Sequence, residues 1–263
     1  MSEDFDHIAT SYDDTFTNTK IGQYQRERVY QFLLNDYPTL KNKNILEING
    51  GTGADALWLA NKNAHVTFTD ISPKMVAYAK QKFNLNKQEI TSHVLDVNQV
   101  SSYYPTPQFD LVFSNFGGLN CLTKSELRTF FKSINKSLNE NGALVLVIMP
   151  SFCLLETLYF LSKFKFKKAF RRSNKKGVQA HVDGEQVKTY YYSPKTIENL
   201  ALKYFELNQV KPVGVYVPPS YLEPFFSKRP NWLNKLWKKE KRIKNFRRLS
   251  FLSDHYYIRL SKK

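Results

Sequence analysis

Leu46-Glu47-Ile48-Asn49-Gly50-Gly51-Thr52-Gly53 is the stretch on which the architecture turns. An apolar run from Asn44 to Asn49 delivers the chain to a crowded turn, and Ala54 to Asn61 then shows a helical period. Without side chains at Gly50, Gly51 and Gly53, the backbone can approach a ligand closely and adopt positive φ. The helix that follows offers free N–H groups at its start. In the first crossover of a doubly wound sheet, this is where a nucleotide-type cofactor sits. Such a site expects an acid about 20 residues on, at the end of the second strand, to accept from both ribose hydroxyls. Asp70 lies 17 residues after Gly53.

The flanking sequence repeats the alternation. Residues 5–36 are expected to be helical, with Phe5, Ile8 and Tyr12 and later Val29, Phe32 and Leu33 on helical spacings. Val66 to Asp70 is a second strand, and Ser72-Pro73 caps a helix to about Phe83. His93 to Val97 and Phe109 to Ser114 are further strands. Ser125 to Asn139 is a helix closed by Asn141-Gly142, and Ala143 to Met149 is a continuous apolar strand suited to the middle of a parallel sheet. Alternating strands and helices predict α/β architecture with right-handed crossovers. After Pro150 the pattern is less regular. Residues 151–176 read as an amphipathic basic helix. Val178 to Val182 and Val187 to Tyr192 flank Asp183-Gly184 as a hairpin. Ser193-Pro194 caps a helix to about Phe205, Leu207 to Val217 is strand-like, residues 231–250 are helical and basic, and Tyr256 to Leu260 is a last strand.

The chain has 263 residues, 42% of them apolar and 24% charged, enough for one large domain with insertions. Two cysteines, Cys121 and Cys153, make no disulfide framework or zinc cluster, so no metal is expected and the setting reads as reducing and cytoplasmic. MSEDFD at the N-terminus does not read as a secretory signal, and Phe152 to Leu161, interrupted by Glu156, is too short to span a bilayer. The net charge of +16 is placed unevenly: residues 1–60 carry −4, residues 61–150 carry +3 and residues 151–263 carry +17. The last part is therefore expected to face something acidic.

Two cofactors compete for the glycine turn. Gly51 to Ala56 matches the GxGxxA form of the dinucleotide fingerprint, which alone is weak. Three features favour S-adenosylmethionine. Glu47 lies within the first strand, near where the methionyl part and its ordered waters would lie. Asp96 ends the third strand, where it can accept from an adenine amino group. Ser114-Asn115 ends the fourth, followed by Phe116-Gly117-Gly118, where a reactive centre would lie.

Over residues 5–150 the chain resembles the class I S-adenosylmethionine-dependent methyltransferases of small-molecule type. LEINGGTG resembles the family's acid-then-glycines motif, TDIS at Thr69 to Ser72 with Met75 the post-second-strand motif, LDV at Leu95 to Val97 the adenine-side motif, and FDLVFSNFG the fourth-strand motif. FDHIATSYDDTF resembles the family's helical lid, in which an aromatic such as Tyr12 closes over the cofactor. Asn49 departs from the pattern by replacing the first glycine, although Asn tolerates left-handed φ better than most residues. The resemblance implies a Rossmann-like seven-stranded sheet with an antiparallel last strand, and helical and hairpin insertions in the C-terminal half. It divides the chain into a lid at 1–40, a cofactor-binding core at 41–150, and the remaining strands with basic substrate-binding insertions at 151–263. It also implies that Tyr12, Glu47, Asn49, Gly50, Gly51, Gly53, Asp70, Ile71, Met75, Asp96, Val97, Ser114 and Asn115 surround S-adenosylmethionine, with S-adenosylhomocysteine as product.

Methyl transfer from a sulfonium is an in-line displacement in which the cofactor carries its own leaving group. The protein supplies alignment and a dry site, and a general base is needed only for an acceptor that must lose a proton early. No catalytic dyad is visible. Weak candidates are Asn115, His181, Tyr192 and His255. The sequence lacks the [DN]PP[YF] and Pro-Cys motifs of enzymes that methylate DNA bases.

Residues 160–176 place eight cationic side chains among Phe160, Phe164, Phe166 and Phe170, and residues 232–249 repeat the mixture around Trp232 and Trp237. Such stretches suit an anionic membrane surface, a phosphate backbone, or packing on the sheet with lysines facing solvent. The reading that results is a methyltransferase acting on a small-molecule, lipid-linked or carrier-linked acceptor, with peripheral contact to anionic membrane. Its rivals are an RNA methyltransferase, a nicotinamide-dependent oxidoreductase, and a cofactor-binding regulator without catalytic activity.

Overall fold

A computed structural model of the chain describes residues 12–182, 185–243 and 246–263, with the side chains at 181, 182 and 185 left aside. Five parallel strands build one half of the sheet: β1 (Asn44–Glu47), β2 (His65–Asp70), β3 (Thr91–Val94), β4 (Phe109–Ser114) and β5 (Leu138–Ile148). Two later strands, β8 (Phe205–Val213) and β9 (His255–Lys262), complete it in the order β3-β2-β1-β4-β5-β9-β8, with β9 antiparallel to both neighbours. The hairpin β6 (Val178–Val182) and β7 (Glu185–Thr189) stands apart. The seven-stranded order and the antiparallel β9 agree with the expected doubly wound sheet.

Alternate residues of each strand feed two separate cores. Leu144, Leu146 and Ile148 pack with Leu127, Phe130 and Ile134 of helix α4 (Lys124–Ser137) and Ile197 of α6 (Pro194–Ala201). Val145 and Val147 face the other way, among Val29, Phe32 and Leu33 of α1 (Lys20–Asp36), Ala56 and Leu59 of α2 (Ala54–Ala60), and Val76 and Phe83 of α3 (Pro73–Leu85). Burial of each large side chain contributes roughly 1.5–3 kcal/mol.

Local chemistry explains where the elements differ from expectation. The helix expected over 5–36 is broken: Thr19 caps α1 by accepting from Gly22 N–H at 3.0 Å, and Asp13–Thr17 forms a separate wider turn. Phe5 and Ile8 lie outside the described residues. β3 is shorter than expected, because Asp96 accepts from Asn98 N–H at 2.8 Å and starts a 3-10 turn. Asn141-Gly142 does not close α4; it falls within β5, where the pairing with β4 shifts register. The 151–176 helix is three pieces: α5 (Leu154–Ser162), Phe166–Ala169 and Arg171–Ser173, the first break falling at Phe164 with φ +56. α6 and β8 end at Ala201 and Val213 rather than at 205 and 217. The Asp183-Gly184 turn lies outside the described residues, and β7 stops at Thr189.

The two basic stretches differ. In α7 (Pro230–Arg242), Leu233 and Trp237 pack inward with Ile21, Val217 and Phe226, and Trp237 stacks on Tyr24 at 4.8 Å. The Leu233–Trp237 part of its apolar stripe is core, whereas Trp232 at its start is half exposed. Buried Glu240 accepts from the N–H groups of Gly214, Val215, Tyr216 and Val217 and anchors that helix to the sheet. By contrast Phe164, Phe166 and Phe170 are exposed. Among the described residues, no helix is long and apolar enough to cross a membrane.

Candidate functional site

The strand order reverses between β1 and β4, and the crevice beyond the carboxyl ends of the strands at such a switch point is where this architecture binds ligands. A cavity of about 1180 Å³, including its open mouth, lies there. Every parallel strand contributes the residues just after its end. Asn49 to Thr52 follow β1, Asp70 and Ile71 close β2, Asp96 and Val97 follow β3, Asn115 to Gly118 follow β4, and Met149 follows β5. Tyr12, Arg26, Asp55 and Met75 complete the side nearest the helices, and Cys121, Leu122, Val187 and Thr189 form the far wall.

The glycine turn is held by its own hydrogen bonds. Asn49 takes φ +53, the left-handed conformation that replacement of a glycine requires there. Gly50 N–H donates to Thr69 O at 3.0 Å and Gly53 N–H to Gly50 O at 3.0 Å. Gly51 has φ +56, and a Cβ built on it would meet nothing within 4 Å, so it presents bare main chain to the cavity. Asp70 ties the turn to the second strand: Oδ2 accepts from Gly51 N–H at 2.9 Å and Oδ1 from Ser72 N–H at 2.9 Å.

The turn after β4 meets the first one. Phe116 at φ +45 and Gly117 at φ +78 are both left-handed, and a Cβ on Gly118 would fall 2.5 Å from Asn49 Cβ. For an aromatic residue that backbone is strained, and such strain concentrates at functional sites. From the Phe116 ring a chain of aromatic contacts runs to Phe16 at 5.1 Å and on to Tyr12 at 5.7 Å. The segment before α1 is tied to the glycine turn by Asp13, which accepts from Thr52 Oγ1 at 2.6 Å and pairs with Lys82 at 2.5 Å. Burial pushes the Asp13 carboxyl up, but Lys82 and Thr52 outweigh it and hold the carboxyl below its ordinary range.

A charged cluster lies at the base of the cavity. Arg26 pairs with Asp55, whose carboxylate also accepts from Tyr30 Oη at 2.7 Å and Asn115 Nδ2 at 3.0 Å. Arg26 sits 5.2 Å from the Phe116 ring centroid, and its buried Nε has no hydrogen-bond partner. Asn49 Nδ2 is a second unpartnered buried donor.

The cavity brings together Tyr12, Asn49, Gly50, Gly51, Asp70, Ile71, Met75, Asp96, Val97 and Asn115 of the residues expected from sequence. Glu47, Gly53 and Ser114 stand behind its wall. Glu47 is 1% exposed, and its carboxyl lies under Gly50 beside Phe68. Gly53 packs on Phe83, so its missing side chain serves helix packing. Ser114, buried as the last residue of β4, does not reach the cavity. Two candidate bases are corrected in the same way. His255, which does not line the cavity, packs edge-on to Phe116 at 5.3 Å with its Nδ1 3.2 Å from the Asp254 carboxylate. The Tyr192 hydroxyl donates to Leu122 O at 2.6 Å, a structural bond. The His181 side chain lies outside the described residues.

The burial of Glu47 has a measurable consequence. Desolvation, then the Asp55 carboxylate, push its pKa well above the ordinary value, against the opposing pull of Arg26. The folded state therefore holds a proton that the unfolded chain releases near pH 4.3. Stability from that proton is fully present below the unfolded value and is lost as pH rises through the folded one. Glu47→Gln should therefore gain on wild type with pH: the difference in thermal midpoint should be more positive at about pH 8 than at about pH 5. A difference that stays constant across this range would show that Glu47 is not held protonated.

Residues 45–142 match the methyltransferase domain family. The putative methyltransferase YqeM of Bacillus subtilis is 33% identical over 113 residues, covering 43% of this chain and 44% of that protein. Malonyl-[acyl-carrier protein] O-methyltransferase 1 of Ilyobacter polytropus is 30% identical over 121 residues, covering 44% and 40%. The chain thus spans less than half the length of these curated relatives. A Methanosarcina mazei S-adenosylmethionine-dependent methyltransferase structure superposes with a TM-score of 0.60 at 17% identity, over 88% of this chain and 96% of that one. At that identity the likeness concerns the fold.

Proposed function

We infer, for a chain that belongs to the class I S-adenosylmethionine-dependent methyltransferase family, that it transfers a methyl group to a small-molecule or carrier-linked acceptor. The observation that carries this reading is the fit of the switch-point cavity to an adenosyl sulfonium amino acid. Bare main chain at Gly51 and the Asp70 carboxylate at the end of β2 suit a ribose. Asp96, Val97, Ile71 and Met75 give adenine an apolar slot with one acid at its edge. Among the described residues the cavity lining contains one cation, Arg26, and its unpartnered Nε is the group to meet the methionyl carboxylate. When bound, the cofactor supplies an activated methyl group on a good leaving group.

The remaining work falls to the chain's own residues. The Tyr12–Phe16–Phe116 aromatics exclude water from one side, and the Asp13 latch holds the lid closed on the glycine turn. Met149, Leu122 and Val187 form an apolar wall on the acceptor side, where Cys121 and Thr189 are the polar exceptions. Asn115 is fixed by Asp55 and by accepting from Phe116 N–H at 3.1 Å, so it positions that wall rather than moving a proton. Neither His255 nor Tyr192 lines the cavity, which fits an acceptor that reacts without early deprotonation. The carrier-linked alternative draws support from the activity named for the Ilyobacter relative.

Calorimetric titration tests the cofactor assignment. Adenosylhomocysteine should bind saturably with a Kd on the order of micromolar, within the usual range for enzyme ligands, while NADH should not compete with it. Saturable NADH binding without adenosylhomocysteine binding would make the chain an oxidoreductase instead.

A further inference from the structure

Beside the switch-point cavity lies a second cleft of about 840 Å³, including its open side. Three segments of chain run from one into the other. Leu122 lines the first and Lys124 the second; Met149 lines the first and Ser151 the second; Thr189 lines the first and Tyr190 to Ser193 the second. Asn120 locks these segments together. Its amide donates to Met149 O at 3.1 Å and Tyr190 O at 2.6 Å and accepts from Met149 N–H at 2.9 Å, while its backbone carbonyl accepts from Tyr190 N–H at 2.7 Å. Two residues of extended chain cover roughly 7 Å, so the two spaces lie about that far apart along each segment.

Among the described residues, the charged ones that line the cleft are Lys124, Arg172 and Lys175, with no carboxylate. Arg172 is 5% exposed. Its terminal nitrogens are committed to Glu156, Asp254 and the Asp254 carbonyl, but its buried Nε has no hydrogen-bond partner. Lys124 and Lys175 form no ion pair among the described residues. The hydroxyls of Ser151, Ser193 and Tyr191 add neutral donors. Lys124 opens α4 and Ser193 caps α6, so the positive ends of two helices border the same space. Two lysines with no ion pair among the described residues, neutral hydroxyl donors and the orphan Nε–H of a guanidinium otherwise neutralised by Glu156 and Asp254 make an environment for an oxyanion.

We propose that this cleft binds a phosphate ester carried by the methyl acceptor, so that the acceptor is a phosphate-bearing molecule whose reactive end reaches the first cavity. The proposal rests on the reading of that cavity as a methyl-transfer site. Phosphate esters of this kind come from a free phosphorylated metabolite or from a phosphopantetheine arm on a carrier protein.

The test is a titration of the intact chain, followed by phosphorus NMR and calorimetry, with inorganic phosphate, free 4′-phosphopantetheine, and a carrier protein bearing the same arm. Phosphate should bind saturably. Lys124→Glu/Lys175→Glu should weaken it at least about tenfold, as expected for loss of charge-assisted hydrogen bonds. Lys41→Glu/Lys132→Glu makes the same charge change at exposed lysines outside the cleft and should leave phosphate binding near wild type. Tighter binding of free phosphopantetheine than of phosphate supports a free metabolite, and tighter binding only on the carrier supports the carrier arm. Equal affinity for all three ligands, no saturable phosphate binding, or equal losses in the two charge variants would overturn the proposal. Adenosylhomocysteine is titrated into the same samples. If it binds while phosphate does not, the cleft assignment alone fails; if phosphate binds while it does not, the reading of the first cavity fails.

Discussion

Arg26→Met should cost about 3–5 kcal/mol of folding stability, the usual result of removing one partner from a buried ion pair. The guanidinium compensates the buried Asp55 carboxylate. It pairs directly with Asp55 and draws down the pKa of Glu47, which burial and Asp55 raise. Burial alone opposes its own charge, yet Asp55 and Tyr30 hold the guanidinium above its ordinary pKa. Methionine fills comparable volume, so the loss reads electrostatics rather than a cavity. Urea unfolding near neutral pH measures it. Adding Asp55→Asn should recover part of the loss, because the charge left behind is then removed. Arg26→Lys supplies a further distinction. It keeps the charge but not the planar fork, so stability should recover more fully than adenosylhomocysteine affinity. If affinity recovers in parallel with stability, Arg26 serves the fold beneath the cavity and does not meet the ligand.

How far such a site is legible in sequence depends on whether the signal is local. The glycine turn, Asp70, and the Ile71–Met75 segment were readable because a strand, a turn and a capped helix each write their own pattern within a few residues. The alternation of strands and helices pointed to the parallel α/β half, while the seven-stranded sheet with its antiparallel strand was what the family resemblance implied. Arg26 and Asp55 carried no such mark. They are 29 positions apart and meet only because α1 crosses the start of α2. An acid in the first turn of a helix reads as a partner for the helix dipole, and here it faces inward instead. Met149, Leu122, Val187 and Thr189 are apolar or neutral residues at element ends, and only the tertiary arrangement makes them one wall. Glu47 shows the opposite error. Its motif position is recognisable, but Gly50, within the turn itself, lies over it and closes it off from the cavity. The basic C-terminal stretches misled for a related reason: helical periodicity shows that a stripe exists, not whether the fold covers it. Trp237 is covered by Tyr24, while Phe164 sits where the helix breaks and is left exposed.

Asp70→Ala should weaken adenosylhomocysteine binding by on the order of 10- to 150-fold, the equivalent of about 1.5–3 kcal/mol for one charge-assisted hydrogen bond. A second such bond to the other ribose hydroxyl would raise the loss further. The difficulty in reading this variant is that Asp70 has two tasks. Its oxygens already accept from Gly51 and Ser72 N–H groups, so alanine also loosens the turn that presents bare main chain to the cavity. Each lost backbone bond is worth about 1 kcal/mol of stability, whether or not a ligand is present. The two tasks separate in a comparison of thermal midpoints with affinities. Loss of the structural bonds alone lowers the midpoint of the free protein and leaves the affinity of the folded fraction nearly intact at a temperature well below unfolding. Loss of a ribose acceptor lowers the affinity at that same temperature, and lowers it less for 5′-methylthio-2′-deoxyadenosine than for 5′-methylthioadenosine, because the deoxy analogue lacks one of the two hydroxyls. Equal losses for the two nucleosides would assign Asp70 to the turn alone and move ribose recognition elsewhere in the cavity.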